Sequence, residues 1–436
     1  MGVAVAIAAP GLGYAVYYEY YAPPFHNLSW QLPNPGTNII DKTVGGTLFI
    51  ANLLSENASG NSSVLLRSIS LDSGIVNWSV SALLTGFLPG PDTFSLSEEP
   101  GLAVFAYVPS TSVGEIRVCF FNETTGTLET SDSIPVGITY NSNLQIQGSE
   151  VYFSGLEAGG PAPFNEWNLS LVTDGFAIVG RQVSPVWHTT TDLGVTNNIA
   201  TNSSVGFLSP SYYVAWNFPF GVLLATDLAN RTTELFHGLP EATVMTDLTG
   251  SELYSVVAGR ENWSLASLNL SNGAESKLFS VPGTPLRNQT YGVLGVQDGV
   301  FVIGDFCGYV LGGPCGGTLV GLSAVGKSLW QVDIDGSINP YSTGYQMFFV
   351  TPETVLFVGY PSTYLLEGNS QLSYTTEFLL ISVDSGQVQN RVSYGFALSP
   401  DGSTGLGSAP AIRTVYAAAV GYVVYSYGAN IAASSV

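Results

Sequence analysis

The sequence predicts an all-β chain closed into an eight-bladed β-propeller, with seven blades as the alternative count, and three observations predict it. Short runs rich in Val, Tyr, Phe, Leu and Thr recur between Gly, Asn, Asp or Pro punctuation, whereas a 3.6-residue apolar spacing almost nowhere outlasts two turns. The runs group into a unit repeated about every 50 residues: an apolar strand, a turn, a second strand ending in a polar turn, then a strand often carrying an aromatic. The two ends complement each other. The last unit, Val415 to Asn430, supplies two strands and their turn but lacks an outer strand, while Asn27 to Leu32 (NLSWQL) reads as an outer strand with nothing before it. Pairing them closes the ring and leaves no large exposed edge.

In chain order, residues 1–24 read as a membrane anchor or signal segment and residues 25–436 as the propeller. Gly2 to Tyr18 carries no charge, and at 1.5 Å per residue it makes a helix of roughly 25 Å. Tyr14, Tyr17, Tyr18, Tyr20 and Tyr21 cluster at one end, where amphipathic rings favour the headgroup level, and Pro23-Pro24 ends any helix. A cleavable signal, cut near Ala6-Ile7-Ala8, is the alternative; no Lys or Arg precedes the apolar run as such a signal requires.

The repeat copies follow: LRSISLDSGIVNWSV (Leu66 to Val80), IRVCFFNETTGTLETSDSI (Ile116 to Ile134), WNLSLVTDGFAIVGRQV (Trp167 to Val183), VLLATDLANRTTELFHGL (Val222 to Leu239), LASLNLSNGAESKLFSV (Leu265 to Val281), LVGLSAVGKSLWQVDI (Leu319 to Ile334) and FLLISVDSGQVQNRVSY (Phe378 to Tyr394). Their turns are expected near Gly74, Gly126, Gly175, Asn230, Gly273, Gly326 and Gly386. Trp30, Trp78 and Trp330 fall at equivalent points and are expected to pack between blades.

Three stretches carry a family likeness: Leu71-Asp72-Ser73-Gly74 with Trp78, Gly321 to Gly326 with Trp330, and Val415-Tyr416 with Tyr422 to Gly428. The unit resembles the repeat of pyrroloquinoline-quinone-type (quinoprotein-like) β-propellers over about 400 residues. That resemblance implies the fold; its catalytic members also have adjacent cysteines beside the quinone and a calcium cluster of Glu, Asn and Asp. No Cys-Cys pair exists here, so the expected relative is a non-catalytic extracellular member, with no cofactor, metal or catalytic residue assigned.

Composition narrows the function. With 32 acidic against 11 basic residues the chain carries −21, lacks the basic surface that neutralises phosphates, and is not expected to bind nucleic acid. Membrane attachment is expected through the N-terminal segment only. Eleven Asn-x-Ser/Thr acceptors (Asn27, Asn57, Asn61, Asn77, Asn122, Asn168, Asn202, Asn230, Asn262, Asn269 and Asn288) argue for secretion and N-glycosylation. Cys307 and Cys315 flank a Gly-rich stretch and are expected to form a local disulfide, while Cys119 reads as a buried thiol. The three histidines, His26, His188 and His237, lack zinc spacing.

These readings lead to a secreted or anchored cell-surface propeller acting as a non-catalytic envelope, filament or adhesion module. The low charge suits a microbe of hot or acidic surroundings, as in archaeal envelopes. The alternatives are an extracellular polysaccharide- or peptide-binding protein, or a hydrolase using channel carboxylates. The acceptors stop at Asn288, so the blades beyond it are the expected contact sector for other surface or filament subunits, including self-assembly or a glycan ligand. The aromatic, nearly uncharged loop Tyr360 to Tyr374, with Tyr360, Tyr364, Leu365, Leu366 and Tyr374, is the candidate contact.

Overall fold

The computed structural model describes residues 28–56, 61–87, 93–109, 114–137, 139–162, 166–196, 204–217, 220–237, 243–258, 262–282, 291–306, 317–334, 345–359, 364–365, 372–398, 415–419, 421–427 and 430–435. They form only strands and turns, in eight antiparallel sheets. The first strand is β1 (Leu28–Pro33). Blade 1 is β2 (Thr37–Val44), β3 (Thr47–Glu56), β4 (Asn61–Ser70) and β5 (Val76–Thr85). Blade 2 is β6 (Phe94–Glu99), β7 (Leu102–Tyr107), β8 (Glu115–Asn122) and β9 (Leu128–Pro135). Blade 3 is β10 (Thr139–Gln147), β11 (Glu150–Ala162), β12 (Glu166–Val179) and β13 (Gln182–Thr196). Blade 4 is β14 (Ser204–Leu208), β15 (Tyr212–Asn217), β16 (Val222–Asp227) and β17 (Thr232–His237). Blade 5 is β18 (Thr243–Thr249), β19 (Glu252–Ala258), β20 (Asn262–Asn269) and β21 (Glu275–Pro282). Blade 6 is β22 (Tyr291–Gln297), β23 (Val300–Phe306), β24 (Gly317–Ser323) and β25 (Ser328–Ile334). Blade 7 is β26 (Tyr345–Thr351), β27 (Thr354–Gly359), the two-residue β28 (Tyr364–Leu365), β29 (Leu372–Ser382) and β30 (Val388–Leu398). Blade 8 is β31 (Val415–Ala419), β32 (Tyr422–Tyr427) and β33 (Asn430–Ser435), with β1 as its fourth strand.

The order β1-β33-β32-β31 places Trp30 beside Ala433, and the Ser435 N–H donates to Ser29 Oγ at 3.1 Å. The C-terminal unit therefore contributes three strands, one more than its sequence suggests.

The core lies between blades. Eight apolar clusters each bridge two successive sheets, from Phe49, Trp78, Phe87, Phe105 and Phe121 between blades 1 and 2 to Trp30, Leu48, Ile50, Val424 and Ile431 between blades 8 and 1. Middle strands are buried on both faces: every residue of β15 (YYVAWN) is buried, which is why such strands read as continuous apolar runs. Outer strands alternate instead, as in β5, where Trp78, Val80 and Leu84 turn inward between exposed neighbours. Pro33, Pro135 and Pro282 end three outer strands, where a missing N–H blunts an open edge.

One turn recurs at the junction of third and outer strands. Gly74 N–H donates to Ser70 O, Gly126 to Asn122, Arg231 to Asp227, Gly273 to Asn269 and Gly386 to Ser382, all at 2.7–2.9 Å. The next residue along from the turn's start then bonds back to the first turn of its own blade, as Leu71 N–H does to Gly46 O (2.8 Å) and Val383 N–H to Glu353 O (2.9 Å). Both turns of a blade thus share one end of the ring, called here the turn face; the blade-to-blade connections lie at the opposite loop face. In blade 3 the turn is at Gly180 and Arg181, not Gly175. Gly175 lies inside β12 because Trp187 of β13 covers it, leaving no room for a Cβ.

Neighbouring blades dock on these turns. Trp30 lies on Gly74 and donates its indole N–H to Leu71 O at 2.6 Å; Trp330 lies on Gly386 and donates to Val383 O at 2.5 Å. Gly74 and Gly386 both hold φ of +67°, a left-handed value, so glycine answers to conformation and contact together. Trp78 differs, donating to Glu98 Oε2 at 3.0 Å. Phe279 on Gly326 is the same dock between blades 5 and 6. Around blade 3 ion pairs replace it: Arg181 meets Glu129 of blade 2, and Arg231 of blade 4 meets Glu150 at 3.0 Å.

Trp30→Ala is expected to cost about 3–5 kcal/mol, the usual penalty for emptying a buried Trp site. Gly74→Ala is expected to destabilise through the same contact, and the double variant to lose less than the sum because the clash disappears with the indole. Denaturant unfolding followed by far-UV circular dichroism reads all three. A loss below about 1 kcal/mol for Trp30→Ala would show that the seam is held elsewhere.

Candidate functional site

On the turn face, the first turns of blades 6, 7 and 8 border a cavity of about 440 Å³, open to solvent and lined by Gln297, Phe349, Val350, Thr351, Pro352 and Gly421. Gly421 N–H donates to Val350 O at 2.8 Å, which locks two of these turns together. Gly295 lies under Met347 and Phe349, where a Cβ would meet Met347 Cε at 2.6 Å, so its bareness lets the Phe349 ring sit beside the cavity. The Gln297 amide donates to Asp298 Oδ2 at 3.2 Å, and Asp298 adopts φ +48° in the turn. None of these lining side chains is ionisable. The geometry suits a neutral or apolar group held by Phe349, Val350 and Pro352, with Gln297 and Thr351 as polar contacts.

Exposed apolar residues cap the same face: Val44 and Ile75 in blade 1, Val179 in blade 3, and Val325, which is 80% exposed, in blade 6.

Three groups elsewhere have shifted acidity or unusual partners. Asp174 of β12 is buried and accepts or shares a 2.7 Å bond with Nδ1 of His188 on β13, its cross-strand neighbour. Burial raises the Asp174 pKa above its ordinary 3.8, against the opposing pull of His188. A histidine held by a carboxylate is the orienting half of acid–base machinery, but no described hydrogen bond brings a hydroxyl or thiol nucleophile to His188. Burial raises Glu123, and Glu98 adds to the effect. Burial also pushes the Cys119 thiol up to about 12, which leaves it protonated and unreactive, as its sequence context suggests.

The sequence-predicted positions separate by face. Asn61 and Asn168 begin third strands and lie at the loop face, as does Asn262 of β20. Asn77 begins an outer strand, and Asn122, Asn230 and Asn269 sit in the recurring turn, all at the turn face. Asn27, Asn57, Asn202 and Asn288 lie outside the described residues, as do Cys307, Cys315, Tyr360 and Leu366. The stretch expected as a loop is partly strand: Tyr364–Leu365 forms β28 against Leu372 and Ser373, and Tyr374 pairs with Phe396 in β29. Of the predicted contact residues, the structure brings Tyr364 and Leu365 of β28 next to the β29 segment that carries Tyr374.

The cavity itself had no sequence signal. Its residues come from three blades, and only their common place in the repeat, at the first turn, links them.

Neither a protein-family model nor a curated protein matches the chain. Similar solved structures include the C-terminal WD40 domain of Sif2, with TM-score 0.47, 9% identity and coverage of 94% of this chain and 97% of that one. The dihydro-heme d1 dehydrogenase NirN in complex with DHE gives 0.41 and 15%, covering 97% and 80%. Kluyveromyces lactis Hsv2 gives 0.42 and 11%, covering 81% and 99%. At these identities the likeness concerns the fold alone.

Asp174 predicts a signed pH effect. Its folded pKa lies above the unfolded value, so its contribution to stability is full below pH 3.8 and declines as pH rises through the folded value. Thermal melts across this window are expected to show that decline in the unsubstituted chain and a flatter profile in Asp174→Asn; equal slopes would refute the assignment. Alkylation by iodoacetamide is expected to spare Cys119 in the native protein and to reach it after unfolding, as read by peptide mass mapping.

Proposed function

We propose that the protein is a secreted or membrane-anchored, N-glycosylated cell-surface propeller serving as a non-catalytic envelope, filament or adhesion module of the quinoprotein-like repeat type. The observation that carries this reading is the turn face, where exposed Val44, Ile75, Val179 and Val325 share one surface with an apolar cavity. Apolar side chains exposed on one face are available for association with another surface. The N-terminal segment supports the same picture. β1 begins at Leu28 beside Ser434 on the turn face, and an anchor joined through that strand directs the same face toward its attachment.

Within this reading, blades 6 to 8 form the contact sector, since the acceptor asparagines end at Asn288 and the cavity belongs to those blades. Cys307 and Cys315 staple their connection in blade 6 as a disulfide, consistent with an oxidising exterior. A second reading is favoured by the cavity alone: recognition of a peptide through an apolar side chain seated on Phe349 and Pro352.

The full chain is expected to fractionate with membranes, and a chain lacking residues 1–24 to be released into the medium; release of both contradicts anchoring. Val325→Asp is expected to leave the melting temperature unchanged, because the side chain is solvent-facing, while reducing binding to purified envelopes at least about tenfold, a 1.4 kcal/mol effect. Unchanged binding would remove the turn face from the contact.

A further inference from the structure

The eleven acceptor asparagines are equivalent in sequence, yet the fold treats them differently. All four described acceptors on the turn face have their carboxamide nitrogen engaged. Asn77 Nδ2 donates to Ser68 Oγ at 3.2 Å, and Asn230 Nδ2 to Asp227 Oδ2 at 3.0 Å. Asn122 Nδ2 donates to Glu129 Oε1 at 2.9 Å, while its Oδ1 accepts the N–H groups of Thr124 and Thr125. Asn269 Nδ2 donates to Glu252 Oε1 at 2.6 Å, and its Oδ1 accepts both the N–H and the hydroxyl of Ser271. Ser271 is the hydroxyl residue of that acceptor triplet, so both of its chemical elements are occupied.

The reason lies in the repeat. Asn122 and Asn269 open the recurring turn, a place taken by Ser70, Asp227, Ser323 and Ser382 in other blades. A short side chain with an oxygen is what the turn needs to hold the next N–H groups. At these two sites the acceptor triplet is a by-product of the turn.

Asn168 has the opposite surroundings. It is exposed at the loop-face end of β12. It pairs with Val195 on one side, and Gly159 approaches it on the other, where a Cβ would stand 3.4 Å from Asn168 Cβ. Neither neighbour presents a side-chain acceptor, and Asn168 makes no side-chain hydrogen bond among the described residues.

We propose that glycosylation is confined to the loop face, with Asn168 as its principal described site, and that Asn77, Asn122, Asn230 and Asn269 remain unmodified. The inference rests on the glycoprotein reading above. In the transfer, Asn168 Nδ2 forms a bond to C1 of an oligosaccharide carried on a lipid-linked phosphate donor. The C1–O bond to that donor breaks, the phosphate departs with the electron pair, and Nδ2 loses one proton. At Asn122 and Asn269 a carboxylate holds the amide nitrogen while the oxygen holds two donors, and at Asn230 and Asn77 the nitrogen is held by Asp227 and Ser68, so each must give up a bond before it meets the sugar.

Glycopeptide mass mapping of the full chain, made in a host with N-glycosylation machinery, tests this. The expected result is a glycan on the Asn168 peptide, its loss in Asn168→Gln, and bare Asn122 and Asn269 peptides. Removing the acceptor with Glu252→Ala is expected to raise Asn269 occupancy at least tenfold. A glycan on Asn122 or Asn269 of the unsubstituted chain, or a bare Asn168 among modified sites, overturns the proposal while the glycoprotein reading stands. A chain without glycan on any asparagine overturns both.

Discussion

The ring depends on one recurring turn before the outer strands: it passes through a left-handed conformation, and at two seams it also offers a carbonyl to the neighbouring blade. Leu71 and Val383 show the double duty. Each uses its N–H inside its own blade and its C=O for the indole of the preceding one, so a single residue couples strand order within a sheet to the spacing between sheets. Where this dock is missing the grip changes character. The partly exposed pairs Glu129 with Arg181 and Glu150 with Arg231 belong to a class usually worth about 0–1 kcal/mol. Blade 3 offsets this with strands of 13 to 15 residues and a polar belt toward blade 4, where Tyr213 donates to Ser154 Oγ at 2.8 Å and Thr189 joins Thr233 and Thr226.

The seam between blades 8 and 1 combines two unlike devices. Toward the turn face it is apolar, centred on Trp30. Toward the loop face the buried Arg67 donates to Pro33 O at 3.0 Å and to the side chains of Asn34 and Asn52 at 3.1 and 2.8 Å. These acceptors are neutral, and burial lowers the Arg67 pKa. A buried cation without a carboxylate adds little net stability, but it fixes the path by which the chain crosses from one blade to the next.

The sequence revealed the blade count because turns are chemically conspicuous: Gly74, Gly126, Gly273, Gly326 and Gly386 all occupy the positions their spacing suggests. It misplaced the third turn because Gly175 answers to the Trp187 ring and not to a turn. It missed β33 because NIAASS has Ile431 as its one branched residue and no aromatic, a weak form of the pattern that usually marks strands. The Asp174 and His188 pair was hidden for another reason. Folding β12 onto β13 about Gly180 and Arg181 puts Asp174 opposite Trp187, and only the register shift after Gly175 moves His188 into place. Such bulges leave no mark in hydrophobic period. The ion-pair docks and the cavity join residues far apart in the chain, beyond what periodicity can reach.

The bond between Ser435 and Ser29 spans 406 positions, and that distance shapes how the molecule must be made. Closing a loop of that length costs about 5 kcal/mol of chain freedom. During synthesis or export, amino end first, β1 has no sheet to join until β33 arrives, and its open edge is available to any other newborn copy. A chain cut before β33 would therefore hold seven complete sheets and a first strand without a partner.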